Sequence, residues 1–457
     1  MGYVANPQRM VILGGGPGGY EAALVAARLG ADVTLVSDGL GGSAVLTDCV
    51  PSKTLIAVAE VVTLANESND LGVRTSGPAS VDLGAVNKRI RHLAGAQSDD
   101  IARRLETEGV RLVDGRGTLD GPATVLADGA RFDADAVLVS TGAHPRVLPE
   151  AQPDGERILT WEQLYDLEEL PERLVVVGSG VTGAEFASAY NALGSQVTLV
   201  SSRDRVLPGE DSDAAEVLEH VFQRRGMTVL GRSRATGVQR TADGVVVSLE
   251  DGRTVEGTHC LLAVGSIPNT AGIGLEEAGV TLGRGGFVEV DKVSRTSARG
   301  VYAAGDCTGV LMLASVAAMQ GRIAVWHALG EAVSPLALRE VSANVFTDPE
   351  IATVGWSQAA ADEAGILATT YTLPLKGNPR AKMQGLADGF VKITCRTESR
   401  LVLGGTIVAP RASELVHVLA LAVAQRLTVD QVSHAFTVYP SLSGSIAEAA
   451  HRLHLRA

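Results

Sequence analysis

The sequence predicts an α/β protein: two parallel-sheet domains of one plan, followed by a C-terminal α+β module. Three observations carry that reading. A short apolar strand, Met10 to Leu13, runs directly into Gly14-Gly15-Gly16-Pro17-Gly18-Gly19, then a helix-like stretch from Tyr20 to Leu29 and a strand from Val33 to Val36. The same order returns with Leu174 to Val177, Gly178-Ser179-Gly180-Val181-Thr182-Gly183, a helix from Ala184 to Leu193 and a strand from Val197 to Val200. From about Ser342 the style changes to strands Gly389 to Cys395 and Leu403 to Val408 and a helix from Ala412 to Gln425, with no third loop of this kind.

Each loop is a GxGxxG set between a strand and a helix, the pattern of a Rossmann-like dinucleotide-binding domain. The first glycine makes the turn, the second admits a pyrophosphate to the backbone, and the third lets helix and strand pack closely. The helix N-terminus then meets the negative charge. Two such sites in one chain point to two dinucleotides, a flavin and a nicotinamide that exchange a hydride. The runs ending at Ser140-Thr141-Gly142 and at Val264-Gly265 read as the ends of these two domains. A charged stretch from Pro153 to Pro171 reads as the link between them, and Gly244 to Glu256 as a hairpin returning to a strand at Cys260 to Val264. The expected domains are therefore 1–150, 151–270, 271–341 and 342–457.

Composition narrows the class. With 457 residues the chain is too long for one core. Its 52 glycines cluster in tight loops and follow no repeat. A formal net charge of −13 disfavours nucleic acid, which needs a basic surface. The cysteines Cys49, Cys260, Cys307 and Cys395 form no CxxC and have no histidine at ligand spacing, which argues against a disulfide framework and against a metal site. The N-terminus MGYVANPQRM lacks an apolar signal core, and Asn6 stands where an acylation motif needs Ser or Thr. The apolar run from Leu415 to Ala424 is too short for a membrane span, so the cytoplasm is the expected compartment.

The residues resemble the flavoprotein disulfide reductases, the family of lipoamide dehydrogenase, glutathione reductase and mercuric reductase. The resemblance runs nearly the whole length. It rests on both GxGxxG loops, on Gly41 to Lys53 (GGSAVLTDCVPSK), on Ser140-Thr141-Gly142, on Val264-Gly265-Ser266-Ile267-Pro268-Asn269, and on Thr296 to Asp306 (TSARGVYAAGD). It implies an FAD domain, an NAD(P) domain, a central domain completing the flavin site, and a C-terminal dimerisation domain in a homodimer. For FAD it points to Gly14, Gly15, Gly16, Pro17, Gly18, Gly19, Ser37, Asp38, Gly42, Lys53, Gly117, Ser140, Thr141, Gly142, Asp306, Leu313 and Ala314. For the nicotinamide cofactor it points to Gly178, Gly180, Val181, Thr182, Gly183, Glu185, Ser201, Ser202, Arg203 and Gly265. Lys53 matches the family lysine near the reactive edge of the flavin, and Glu185 matches its ion-pair partner.

The departures from the family pattern are as informative. Disulfide reductases carry two cysteines separated by four residues; here Cys49 has only Ala44 at the other position. They end in His-x-His-Pro-Thr-x-x-Glu, whereas this chain reads Thr437-Val438-Tyr439-Pro440-Ser441-Leu442-Ser443-Gly444. Tyr439 thus replaces the catalytic histidine and Gly444 the acid, and a tyrosine that titrates near ~10 is a poor base. His434 and His451 read as helix or surface residues. Ser37 stands where the family has the acid that binds the flavin's ribose, with Asp38 beside it. Ser201 replaces the acid that selects NADH, while Arg203 and Arg205 could meet a 2′-phosphate; NADPH is the expected donor, with NADH tolerated.

With no dithiol and no His-Glu pair, disulfide exchange lacks its chemistry. The nicotinamide-to-flavin half remains, and a quinone suits as acceptor because it takes electrons directly and protons from water. Within the family the chain resembles a mycobacterial lipoamide-dehydrogenase-like branch of NAD(P)H quinone reductases. The main alternative is a soluble pyridine nucleotide transhydrogenase, which the family likewise places with Tyr-Pro and a lost cysteine. A lone redox-active Cys49 and a non-enzymatic flavoprotein subunit are the remaining readings.

Overall fold

The computed structural model describes residues 8–74 and 76–454. Residues 1–7, which include Asn6 of the acylation motif considered above, lie outside the described residues. The chain divides into two compact units. One comprises the described residues through Thr54 with Asn87–Arg146 and Gly265–Leu336; the other comprises Leu55–Val86, Val147–Val264 and the residues from Ala337 onward. The chain changes unit after Arg146, Val264 and Leu336. A division read along the sequence does not foresee that Leu55–Val86 joins the second unit.

The elements that carry the argument are, in chain order, β1 (Arg9–Gly15), α1 (Pro17–Arg28), β2 (Asp32–Leu40), α2 (Cys49–Glu67), β3 (Arg111–Asp114), β4 (Ala136–Val139), β5 (Ile158–Thr160), β6 (Arg173–Val177), α3 (Val181–Leu193), β7 (Gln196–Val200), α4 (Ser212–Arg224), β8 (Thr228–Leu230), β9 (His259–Leu262), β10 (Val301–Ala303) and α5 (Ala314–Ala328). Then come β11 (Ser342–Val345), β12 (Glu350–Gly355), β13 (Ala368–Pro374), β14 (Phe390–Arg396), β15 (Val402–Ala409), α6 (Ala412–Ala424), α7 (Val429–His434) and α8 (Gly444–His454).

In the first unit a parallel sheet runs β10-β4-β1-β2-β3. Its central strand β1 is apolar at every position from Met10 to Leu13, as a strand covered on both faces must be. Met10 and Ile12 pack with Ala22, Ala23 and Ala26 of α1 and Ala324 and Val325 of α5. Val11 and Leu13, pointing the other way, pack with Leu119, Val125 and Phe132 of a small antiparallel sheet. The period-two alternation of one strand thus builds two core layers.

The second unit repeats the plan with the order β8-β7-β6-β9-β5. Here the stretch from Pro153 to Pro171 is more than a link. Its Ile158 and Leu159 are buried in β5, which pairs in parallel with β9, and Trp161, Leu164 and Tyr165 are buried in the following turn. Three residues are too few for a periodicity to show in sequence. The expected hairpin is present as Val245–Leu249 paired with Thr254–Gly257, and a third strand, Ala235–Arg240, completes a meander. The same unit carries the sheet β11-β12-β15-β14-β13. Onto it pack Val416, Leu419 and Ala422 of α6 and Ile446, Ala449, Ala450 and Leu453 of α8, residues spaced to share one helix face. No helix among the described residues is long and apolar enough to cross a membrane.

Candidate functional site

Both glycine-rich loops leave their sheets at the C-terminal edge, at the strand from which the order departs in two directions. That is where open α/β sheets bind ligands. In the first loop, Gly14 has φ +98°, and a Cβ there would lie 2.3 Å from the Ser140 carbonyl oxygen. A Cβ on Gly19 would lie 1.8 Å from the Gly14 carbonyl oxygen, so only hydrogen lets α1 seat on the turn. Gly16, between them, has nothing closer to its missing Cβ than Gly42 Cα at 3.8 Å. Pro17 opens α1 at a position needing no N–H partner. The outer glycines are filled by protein and the middle one is left open, as backbone approach by a pyrophosphate requires.

Neighbouring strand ends complete this edge. Ser140 Oγ donates to the Leu13 and Gly14 carbonyls at 3.0 and 2.9 Å. Thr141 and Gly142 are clamped by Asn269, whose Nδ2 donates to the Thr141 carbonyl (2.9 Å) and whose N–H donates to the Gly142 carbonyl (3.0 Å). After β10 the backbone turns at Gly305 (φ +82°) into Asp306, whose carboxyl is pushed up to about 6 by burial and then by nearby Asp48. Leu313 caps α5 and Ala314 begins it. Gly18 packs towards Ala304 and the Ala317 carbonyl, and Gly117 towards Leu13, so both serve close packing beside the loop.

Ser37, at the end of β2, turns inward. Its Oγ accepts the Gly15 N–H at 2.9 Å and donates to the Gly39 carbonyl at 2.7 Å. Asp38 is exposed and pairs with Arg116 Nε at 2.9 Å, leaving it the carboxylate that faces solvent at this strand end. Gly42, at φ +57°, sits against Gly16 and begins the short helix that carries Ala44. Cys49 and half-buried Lys53 follow in α2.

The second loop repeats the first. Gly178 (φ +114°) would place a Cβ 2.1 Å from the Ala263 carbonyl oxygen, and Gly183 would place one 1.8 Å from the Gly178 carbonyl oxygen. A Cβ on Gly180 would meet nothing within 4 Å. Val181 is exposed and Thr182 half-buried in the first turn of α3, and Glu185 follows, 3% exposed, accepting the Phe346 N–H at 2.9 Å. Gly265 (φ +97°) is likewise open around its missing Cβ. These two open middle glycines, each between glycines that the protein fills, fit two dinucleotides.

At the end of β7 the structure refines the expectation. Ser201 is fully buried and its hydroxyl lies 2.7 Å from that of Ser179, inside the protein rather than towards a ribose. Ser202 and Arg203 are exposed. Arg205 turns back along its own loop towards the Glu210 carbonyl at 3.5 Å, so it does not join Arg203. Arg232, which sequence reasoning did not single out, lies beside Arg203 instead: its N–H donates to the Arg203 carbonyl at 2.8 Å. The only sequence signal was its place directly after β8.

Tyr439 is 82% exposed, between α7 and α8, with Val438 at 75% and Phe436 fully exposed. His434 bonds the Asp430 carbonyl at 2.7 Å, and His451 is exposed on α8. All four cysteines are free thiols; Cys260 and Cys307 are buried, and burial raises both, Cys307 to about 11. Cys49 alone is half-accessible.

Comparison with known proteins agrees with this architecture. The sequence pattern of the pyridine nucleotide-disulphide oxidoreductases fits residues 8–321, and that of their dimerisation domain fits residues 341–450. An NAD(P)H dehydrogenase (quinone) of Mycobacterium tuberculosis is 55% identical over 461 residues, covering 97% of this chain and 94% of its own. A dihydrolipoyl dehydrogenase of Chlorobaculum tepidum is 35% identical over 451 residues, covering 96% of each. The crystal structure of LpdA from Mycobacterium tuberculosis matches with a TM-score of 0.93 at 55% identity, covering 98% of this chain and 99% of that one. The HOCl-induced flavoprotein disulfide reductase RclA of Escherichia coli matches with a TM-score of 0.87 at 24% identity, over 97% and 99%, a likeness of fold alone.

Proposed function

The chain belongs to the pyridine nucleotide-disulphide oxidoreductase family, and from that premise we propose that it passes a hydride from NAD(P)H by way of FAD to a quinone, without disulfide reductase activity. The observation that carries the proposal is the contrast between its two halves. Both dinucleotide loops keep their open middle glycine, while Cys49 has Ala44 in place of a partner thiol. The resemblance to an NAD(P)H dehydrogenase (quinone) supports the same acceptor class.

In this reading the Gly14–Gly19 loop, Ser140 to Gly142 and Asp306 hold FAD, which supplies a two-electron carrier between donor and acceptor. Asp306 accepts hydrogen bonds from the cofactor's hydroxyls, and Lys53 contributes a positive charge near its reactive edge. Glu185, buried on α3, is the carboxylate assigned to that lysine by its motif position. The Gly178–Gly183 loop holds the nicotinamide dinucleotide. With Ser201 buried in its place, no carboxylate occupies the position directly after β7, and Arg203 lies exposed just beyond it. NADPH is therefore the preferred donor and NADH a tolerated one. The acceptor takes its protons from water, so no residue need replace the missing histidine.

The dimerisation-domain match and the exposed Phe436, Val438 and Tyr439 support a homodimer. Four free thiols suit the reducing cytoplasm. Steady-state oxidation of NADPH by the purified holoenzyme, with small quinones, NAD+, lipoamide and glutathione disulfide as acceptors, tests the proposal. Quinone turnover that persists in Cys49→Ser is expected. Turnover of lipoamide would overturn it, and faster turnover with NAD+ than with any quinone would favour a transhydrogenase.

A further inference from the structure

The end of β7 and the end of β8 leave the second parallel sheet side by side, because these strands pair in register from Thr198↔Thr228 to Val200↔Leu230. Backbone bonding continues past the sheet: Ser201 N–H donates to Leu230 O (2.8 Å), Arg232 N–H to Arg203 O (2.8 Å) and Ser233 N–H to Ser201 O (2.7 Å). Gly231 permits this approach, since a Cβ there would lie 3.0 Å from the Asp204 carbonyl oxygen. Arg232 itself is held at φ +52°, a left-handed conformation that an arginine rarely adopts. The two loops therefore form one rim beside the Gly178–Gly183 turn.

Three charges stand on that rim. Arg232 Nε pairs with Asp204 Oδ1 at 2.7 Å, with side chains 80% and 75% exposed. Arg203 has no ion-pair partner among the described residues. Ser201, the residue that in an NADH-selective site would be acidic, is buried and bonded to Ser179. Two guanidinium groups and one carboxylate, paired with Arg232, thus stand on loops at the strand end where a Rossmann-like domain generally meets the adenosine ribose. Exposed ion pairs are weak, so this carboxylate is displaced readily by a doubly charged anion. Guanidinium groups are well suited to phosphate because their planar N–H donors bind its oxygens in pairs.

We propose that Arg232 is the second cation, with Arg203, of a 2′-phosphate subsite, and that Asp204 is its resident counter-ion in the absence of ligand. The proposal rests on the NADPH reading above and names the residue that sets the preference. The ligand class is an adenosine carrying a 2′-phosphate. Asp204 occupies Arg232 until the phosphate arrives, so the site discriminates by exchanging one anion for a stronger one.

Calorimetric titration of the holoenzyme with 2′,5′-ADP and with 5′-AMP tests this, using wild type, Arg232→Gln, Arg232→Lys and Asp204→Asn. The wild type is expected to bind 2′,5′-ADP more tightly than 5′-AMP. Arg232→Gln should narrow that gap by about tenfold, the size of one charge-assisted contact, by weakening 2′,5′-ADP alone. Arg232→Lys should restore part of it, and Asp204→Asn should widen it. Flavin content and melting temperature, unchanged because the side chain is exposed, would show that the variants are folded. Equal binding of both ligands by wild type would overturn the NADPH reading together with this one. A gap that persists undiminished in Arg232→Gln would overturn the role of Arg232 and leave the NADPH reading standing. A gap narrowed by Asp204→Asn would overturn the counter-ion role.

Discussion

The hydroxyls of Ser179 and Ser201 lie 2.7 Å apart in a fully buried contact that ties the second glycine-rich loop to the end of β7. The first unit has a counterpart in Ser37, whose Oγ accepts the Gly15 N–H at 2.9 Å. In both nucleotide sites a serine thus holds strand and loop together from within, at the position where an acid could have faced a ribose. In the function proposed above, the choice between nicotinamide cofactors would fall to exposed residues on the loops that follow.

Ser201→Ala should therefore weaken binding of NADPH and NADH alike. It removes the hydroxyl contact with Ser179 and the bond that the Arg203 N–H donates to Ser201 Oγ (3.1 Å), each worth about 1 kcal/mol, and leaves the Ser179 hydroxyl to find another partner. A rise of a few-fold in KM for both donors, with unchanged flavin content, is the expected result. Steady-state kinetics and the visible absorption spectrum check it. A rise confined to NADPH would mean that Ser201 acts on the 2′-phosphate directly.

The two loops also allow their cofactors to be separated by one methyl group each. A Cβ at Gly19 or at Gly183 would sit 1.8 Å from a carbonyl oxygen of the same loop. Neither helix can seat on its turn without shifting, at a cost of about 1–3 kcal/mol or more. Gly19→Ala should purify without bound flavin. Gly183→Ala should keep its flavin yet fail to be bleached by NADPH in anaerobic stopped-flow spectra. Loss of flavin from Gly183→Ala would show that the second loop does not bind an independent dinucleotide.

These loops were legible in sequence because each sits between an apolar strand and a helix, so pattern and chemistry coincide. What the sequence left open was direction. Ser37 and Ser201 could be placed at strand ends, but a residue type does not tell whether its hydroxyl faces a ligand or the protein. Arg205 lay close to Arg203 in sequence and turned away. Arg232 lay far along the chain and arrived beside it through the pairing of β7 with β8. Strand β5 was hidden for a different reason: Ile158 and Leu159 are too short an apolar run to stand out among charged neighbours.

Dimerisation gives a third test. Phe436 is fully exposed in the segment before Tyr439, with Val438 75% exposed beside it. Apolar side chains of this size are costly to leave in water, each fully buried one being worth ~1.5–3 kcal/mol. Phe436→Asp should convert the proposed homodimer into monomer, seen by sedimentation velocity, with each monomer still carrying FAD. A dimer of undiminished affinity would place the interface elsewhere on the 341–450 domain.

Asp306 supplies a prediction that pH can read. Its carboxyl is raised to about 6 by burial first and by Asp48 second, whereas an unfolded aspartate titrates near ~4. A folded value above the unfolded one means that the charged form is the disfavoured one. Stability from this group is fully present below pH ~4 and is lost as pH rises through about 6. Asp306→Asn removes the titration. The flavin-free variant should then melt higher than flavin-free wild type at pH 7.5, by the equivalent of up to ~3 kcal/mol, with little difference at pH 4. Its affinity for FAD should fall at pH 7.5, where Asp306 is a carboxylate and the amide a weaker acceptor for the cofactor's hydroxyls, and should change little at pH 4, where Asp306 is protonated. A gain of equal size at both pH values would assign the effect to packing. Unchanged FAD affinity at pH 7.5 would remove Asp306 from the flavin site.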